Sequence, residues 1–237
     1  MQRLRGVVIG ARRVPSAVLV TAATLVISVT LLGGMAHAQA GAPSDAGKGY
    51  AEVVAQSAFG NVTSQNYGAE FGYTVYPNVQ VFAEVGHTRN VATTEISTAA
   101  QIIAGALTQA QPNVVGYAVR QPMTFGVGGA KFLLPISGGP RLLPYAMVGF
   151  GVAKVTQGAT FSVGGTDVTT NLAQYNIVLG GDLSGSFTKP LIMLGGGVSY
   201  PMWQSVVLDF QFRYGHVFVP GQTINVSRAG IGLGLRF

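Results

Sequence analysis

The last fourteen residues, Ile224 to Phe237, restrict the possible folds more than any other stretch. They read I-N-V-S-R-A-G-I-G-L-G-L-R-F. Ala229, Ile231, Leu233, Leu235 and Phe237 share one parity, and Arg228, Gly230, Gly232, Gly234 and Arg236 share the other. Successive side chains of a strand point to opposite faces. The segment is therefore a strand with one continuous apolar face and one face of glycine and arginine. A soluble barrel would have to turn that apolar face inward and leave the Arg and Glu parity in water. A membrane barrel places lipid against the apolar face, keeps a polar lumen inside, and closes its last strand on its first. The expected fold class is thus all-β, an eight-stranded antiparallel up-and-down transmembrane β-barrel.

Composition agrees with this and removes other classes. There is no cysteine, so neither a disulfide framework nor a thiolate metal site is available. Glycine is abundant (34 of 237 residues) while only 9% of residues are charged, at a mean hydropathy of +0.40. That balance fits neither a disordered chain nor an ordinary soluble globule. The formal net charge of +6 is concentrated at the start, because Arg3, Arg5, Arg12 and Arg13 precede the first apolar run. The remaining basic residues form no stripe, which removes nucleic acid as a partner.

The basic start, the apolar run Ala17–Leu32 and the sequence Met35-Ala36-His37-Ala38-Gln39-Ala40 have the layout of a cleaved secretory signal. A retained anchor is the alternative, but the Gly33-Gly34 pair and the alanines after it favour cleavage. The expected domains are a signal over 1–40, a linker over 41–48 and a barrel over 49–237. Mature protein isolated from membranes should begin at Gln39 or Gly41. Intact mass checks this, and a mass that includes Met1 would contradict it.

Eight alternating segments follow: 49–59, 67–76, 79–89, 120–134, 142–155, 190–200, 206–218 and 224–237. In the seventh, Val206, Leu208, Phe210, Phe212 and Tyr214 oppose Asp209, Gln211, Arg213 and Gly215. In the fourth, Phe125 and Val127 are set against Gly126 and Gly128, and the alternation decays near Lys131. Connections after the second, fourth and sixth segments are short and carry proline. The others include two long insertions, 90–119 and 156–189. Short turns at the periplasmic rim and two long outer loops are what bacterial barrels show. Ile96, Ala99, Ile103, Ala106 and Ala110 recur at helical spacing, so 94–109 reads as a short helix. Residues 159–170, centred on Gly164-Gly165, read as a hairpin beyond the membrane. A further crossing at Ala173–Leu179 would raise the count to ten. Tyr50, Tyr67, Tyr76, Tyr145, Tyr200, Trp203 and Phe237 lie near strand ends, where interfacial girdles sit.

These residues resemble the small eight-stranded outer-membrane barrels of the OmpA and OmpX type, in the outer membrane protein beta-barrel superfamily. Leu208-Asp209-Phe210-Gln211-Phe212-Arg213-Tyr214 is similar to that group's penultimate strand, and Pro144-Tyr145 with Gly149 and Gly151 to its fifth. Leu233, Leu235 and Phe237 resemble the terminal signal read by the outer-membrane assembly machinery. The resemblance implies a bacterial outer-membrane location, with outer-membrane lipid, that machinery and periplasmic chaperones as partners. With the sequence ending at the last strand, no cell-wall-binding domain is expected.

Chemistry is sparse. Glu52, Glu70, Glu84, Asp209, Arg213, Arg228 and Arg236 are expected on the lumen side as a charge network, since an eight-stranded lumen is just filled by side chains and buried charges need partners. His87 and His216 follow the lipid-facing parity with no Ser and acidic partner on their own strands, so no catalytic residue is assigned. No cofactor or metal is expected, and the glycine runs lack the strand–loop–helix context of nucleotide loops. The reading is a non-enzymatic barrel making contacts through its outer loops, where an unidentified ligand could bind. A narrow gated porin-like channel is the alternative, and a lipid-modifying enzyme is less favoured.

Overall fold

The computed structural model describes residues 49–60, 62–134, 136, 142–180 and 183–237. The expected signal and linker, and most of the turn 135–141, lie outside the described residues. The strands are β1 (Gly49–Phe59), β2 (Ser64–Tyr76), β3 (Val79–Thr88), β4 (Val115–Arg120), β5 (Met123–Leu133), β6 (Leu143–Val163), β7 (Thr166–Asp167), β8 (Ser184–Pro201), β9 (Val206–Val219) and β10 (Gln222–Arg236). One α-helix, α1 (Thr94–Ala110), lies between β3 and β4.

Eight of these strands form a closed antiparallel ring in the order β1-β2-β3-β5-β6-β8-β9-β10. The terminal strand closes it. Residues of β10 pair with β1 from Tyr50↔Arg236 to Phe59↔Ser227. Gly49 and Phe237 exchange backbone hydrogen bonds of 2.8 and 2.9 Å, which fastens the seam. Every backbone group in a lipid environment must be paired, and closure achieves this without leaving an edge.

The parity read from the C-terminus holds around most of the ring. Ile231, Leu233 and Leu235 are more than half exposed, as are Phe210, Phe212, Phe71, Phe150 and Val53. In a soluble protein such a belt would be an aggregation surface, whereas in a bilayer it is the solvent-facing side. The turn between β2 and β3 uses Pro77-Asn78, with Asn78 at φ 66°, a left-handed conformation that Asn tolerates. Gly221, after Pro220, takes φ +77° in the β9–β10 turn for the same reason.

Several boundaries differ from the sequence reading, among them the starts of β2 at Ser64 rather than 67 and of β8 at Ser184 rather than 190. The segment expected as 120–134 is the shorter β5, and the end of the expected insertion forms a separate strand, β4; the two are broken at Gln121-Pro122 because proline has no N–H for the ladder. Both pieces pair with β6, β4 with Gly158–Val163 and β5 with Tyr145–Val155. β6 runs for 21 residues, so it leaves the membrane and becomes one arm of the expected Gly164-Gly165 hairpin. Ala173–Leu179 does not cross. It belongs to a 3-10 segment, Thr169–Tyr175, and the irregular chain after it.

Above the membrane the outer loops build their own apolar core. Ile96, Ala100, Ala104 and Leu107 on one stripe of α1 pack with Ala159 and Phe161 of β6, and with Val168, Leu172 and Leu183. The Thr93 side chain accepts from the Ile96 N–H at the helix start. The feet of the α1 excursion are fastened together by Val91 N–H donating to the Gln121 carbonyl (2.9 Å) and Gln121 N–H donating to Asn90 Oδ1 (2.9 Å).

Candidate functional site

The lumen holds the largest cluster of ionisable side chains. Neighbouring strands place like charges side by side. Register sets Glu52 opposite Glu70 on β1 and β2, and Glu70 opposite Glu84 on β2 and β3. Arg228 stands opposite Arg213 on β10 and β9. Like charges directly opposite are destabilising within a sheet. The barrel resolves this across its interior rather than along its wall.

Lys131 Nζ meets Glu70 Oε1 at 2.6 Å. Glu70 Oε2 is 2.7 Å from Arg213 Nη2, and Arg213 Nη1 is 2.5 Å from Glu84 Oε2. Arg228 Nη1 donates to Glu84 Oε1 at 3.0 Å. The result is a ladder of alternating sign, Lys131–Glu70–Arg213–Glu84–Arg228, running from β5 and β2 across to β9 and back to β3 and β10. Arg213, Glu70 and Glu84 are almost completely buried. Arg213 holds its two carboxylates by close charge contact rather than by aligned N–H bonds, and its Nε has no hydrogen-bond partner among the described residues. Buried charges are tolerated when paired in this way.

Aromatic and polar groups complete the packing. The Tyr50 hydroxyl donates to Glu70 Oε1 (2.7 Å), and the Tyr145 hydroxyl donates to Asp209 Oδ2 (2.6 Å). The Lys131 ammonium lies over both rings, 4.8 and 4.4 Å from their centroids. Gln211 Nε2 donates to Glu52 Oε1 (3.0 Å), and Ser199 Oγ to Asp209 Oδ1 (3.0 Å). Glu52 and Asp209 thus take neutral partners. Arg228 also donates to Met193 Sδ (3.0 Å) and lies 4.4 Å from the Phe125 ring. Outward of the ladder the lumen is packed by Phe125, Met123, Val155, Val217, Ile224 and neighbours, beside a buried polar group in which Thr88 Oγ1 donates to Asn66 Oδ1 and Asn66 Nδ2 donates to Gln56 Oε1 (both 2.8 Å). At its periplasmic end a cavity of about 20 Å³ touches Tyr50, Glu52, Lys131 and Arg236, room for about one water.

Glycine makes the space for these side chains. A Cβ on Gly72 would enter the Tyr50 ring, and one on Gly86 the Phe125 ring. Gly86→Val should therefore destabilise the barrel by about 1–3 kcal/mol, read as a lower temperature for losing the SDS-resistant folded band.

The seven residues expected in the lumen divide into three groups. Glu70, Glu84, Arg213 and Arg228 share the ladder. Glu52 and Asp209 sit beside it. Arg236 is half-buried at the periplasmic rim and makes no ion pair among the described residues. Phe125 and Val127, which the alternation sets against Gly126 and Gly128, point into the lumen with Lys131, and the two glycines face outward. Tyr50 and Tyr145, expected in the girdle, are lumenal and 8% and 4% exposed. Tyr67, Tyr76, Tyr200, Trp203 and Phe237 are exposed near strand ends. Lys131 is the ladder member that alternation missed. Its charge was the signal, because a lysine on the periplasmic half of a crossing is costly against lipid and has carboxylates to meet in the lumen.

His87 and His216 face outward. His87 Nδ1 contacts Thr124 Oγ1 at 2.9 Å, and His216 Nδ1 contacts Asn225 Oδ1 at 2.6 Å. The His216 ring also packs edge-on against Phe218. These partners hold the rings at the outer rim, and neither ring is oriented by a carboxylate as a catalytic base would be.

A closed eight-stranded ring with a lipid-type exterior and a charge-filled interior matches known proteins at the level of family. The family model described as "Outer membrane protein beta-barrel domain" matches residues 26–237. No curated protein sequence matches significantly. Among solved structures, Neisserial surface protein A aligns at 12% identity, covering 80% of this chain and 96% of that one, with a TM-score of 0.48. Ail, the attachment invasion locus protein of Yersinia pestis, aligns at 14% identity over 81% and 99%, with a TM-score of 0.44. The N-terminal beta-barrel domain of Pseudomonas aeruginosa OprF aligns at 16% over 81% and 98%, with a TM-score of 0.44. With nine-tenths of its length matched by the family model, the chain belongs to the outer membrane protein beta-barrel family and resides in the bacterial outer membrane.

Proposed function

We propose that this barrel is a non-enzymatic surface protein whose outer loops contact the surroundings or neighbouring cells. The observation that carries the proposal is the division of labour along the barrel axis. The lumen is filled by the ladder and by apolar side chains, which supports a scaffold rather than a conduit. The loops above it share a separate apolar core around α1, which supports a shaped platform rather than loose connections. Rigid scaffolds that present loops commonly place recognition there. Leu233, Leu235 and Phe237 fit an assembly-signal role, being lipid-facing and adjacent to the seam.

The test compares cells carrying the wild-type protein with cells carrying a variant whose residues 94–113 are replaced by a short Gly-Ser connection. The variant should reach the membrane as a heat-modifiable folded barrel and lose cell–cell or cell–surface attachment. Membrane lipid composition should be the same with either protein or with none. Unchanged attachment would overturn the loop role. A lipid change that follows the protein would favour an enzyme instead.

A further inference from the structure

On the outward face at the outer rim, a pocket of about 440 Å³ is lined by Ser57, Thr63, Ser64, Gln65, Arg89, Asn90 and Arg120. Its position follows from the fold. Ser57 and Gln65 are cross-strand partners on β1 and β2, on the lipid-facing parity two residues outward of Ala55 and Tyr67. Arg89 continues the same parity beyond His87 on β3. Arg120 ends β4 opposite Gly158 of β6, on the outward parity of that strand. The two arginines are far apart in sequence because α1 lies between them. They meet because Asn90 and Val91 are hydrogen-bonded to Gln121, which fastens the feet of the loop.

The chemistry of the pocket has one sign. Its lining contains two guanidinium groups, three hydroxyls, two amides and no carboxylate. Arg89 Nη1 donates to Gln65 Oε1 (2.8 Å), a neutral partner that orients the fork. Neither Arg89 nor Arg120 forms an ion pair among the described residues, and both are exposed. The three cations of the ladder, Lys131, Arg213 and Arg228, by contrast each meet a carboxylate. Planar guanidinium forks with nearby hydroxyls suit the tetrahedral oxygens of a phosphate, two of which can be held at once. The pocket opens where headgroups lie, one step outward of the exposed Tyr67.

We propose that this pocket binds a phosphate group, carried by a glycolipid headgroup of the outer leaflet or by a soluble anion. Arg89 and Arg120 supply the charge-assisted bonds, and Ser57, Ser64 and Thr63 supply the remaining donors. Gln65 and Asn90 hold the two arginines in place, Gln65 directly and Asn90 through the loop feet.

The experiment uses the full folded chain in phosphatidylcholine nanodiscs doped with a diphosphorylated glucosamine-disaccharide lipid, or with its dephosphorylated form. Native mass spectrometry counts retained glycolipid, and a parallel arm follows the 31P line of inorganic phosphate on titration. The phosphorylated lipid should be retained in preference to the dephosphorylated one. Retention should fall about tenfold in either Arg89→Gln or Arg120→Gln and about a hundredfold in the double variant. Lys154→Gln, which removes an outward cation on β6 outside the pocket, should leave retention unchanged. Perturbation of inorganic phosphate alone, abolished by the same two variants, would support the pocket with a soluble anion as its ligand. Equal retention of both lipids with no phosphate perturbation would overturn the proposal, as would an equal loss in Lys154→Gln. Heat-modifiable migration of each variant separates loss of binding from loss of folding.

Discussion

Glu84→Gln is expected to destabilise the barrel by about 3–5 kcal/mol, although the side chain keeps its size. The reason lies in the order of the ladder. Among the described residues Glu84 is the one carboxylate in contact with Arg228, and it also meets Arg213. Without its charge, Arg228 is a buried cation whose cross-strand neighbour is another arginine. Breaking a buried pair on one side costs that much because the remaining charge stays desolvated and unmatched. Arg213 fares better, since Glu70 still holds it at 2.7 Å. The second half of the prediction follows from what surrounds Arg228, namely Met193 and the Phe125 ring. Adding Arg228→Met to Glu84→Gln should recover most of the loss, because methionine suits those neighbours and removes the orphan charge. Urea midpoints of the refolded protein in detergent give both values. The coupling between the two substitutions should be at least about 2 kcal/mol. Additive losses would show that the ladder is not the cross-lumen tie described here.

The second large effect is on the other face. Ile231→Arg should cost about 2–4 kcal/mol, because Ile231 lies on the lipid-facing parity of β10 near the middle of the crossing, paired with Ala55 and Phe210. Thr223→Arg, on the same parity of the same strand but at the outer rim, should cost about 0–1 kcal/mol. The depth dependence is the informative part. A soluble barrel would show two small and similar effects, since an arginine on a water-facing strand is harmless at either position.

The terminal strand was legible because its two parities differ in kind, apolar against glycine and arginine. The same clarity gave the seventh segment, where Asp209, Gln211 and Arg213 alternate with Phe210 and Phe212. The fourth segment misled because Phe125 and Val127 are apolar on a strand whose outward parity is Gly126 and Gly128. Hydrophobicity alone ranks those the wrong way round. Outward of the ladder the lumen takes apolar side chains beside the buried Gln56–Asn66–Thr88 group, so apolar side chains on β5 are divided between lipid and interior, and only Lys131 marks which is which. Tyr50 and Tyr145 were misplaced for a related reason. An aromatic near a strand end suits a girdle, but a tyrosine can also turn inward when a carboxylate awaits its hydroxyl, as Glu70 and Asp209 do. The partners in the ladder were beyond sequence reading altogether. Arg228 and Glu84 are 144 residues apart, and their meeting depends on closure of the ring, not on any local spacing. The helix α1 was the reverse case, readable from its own periodicity, while what it packs against on β6 depended on a strand continuing past the membrane.

The closed lumen underlies every part of this account, from the cost of Glu84→Gln to the assignment of function to the outer loops. Recording of single-channel currents from the purified, refolded protein in planar bilayers tests it most directly. The ladder and the apolar packing outward of it predict no steady conductance above the bilayer background at either polarity. A large and steady conductance, scaling with bulk electrolyte as an open aqueous path would, contradicts it.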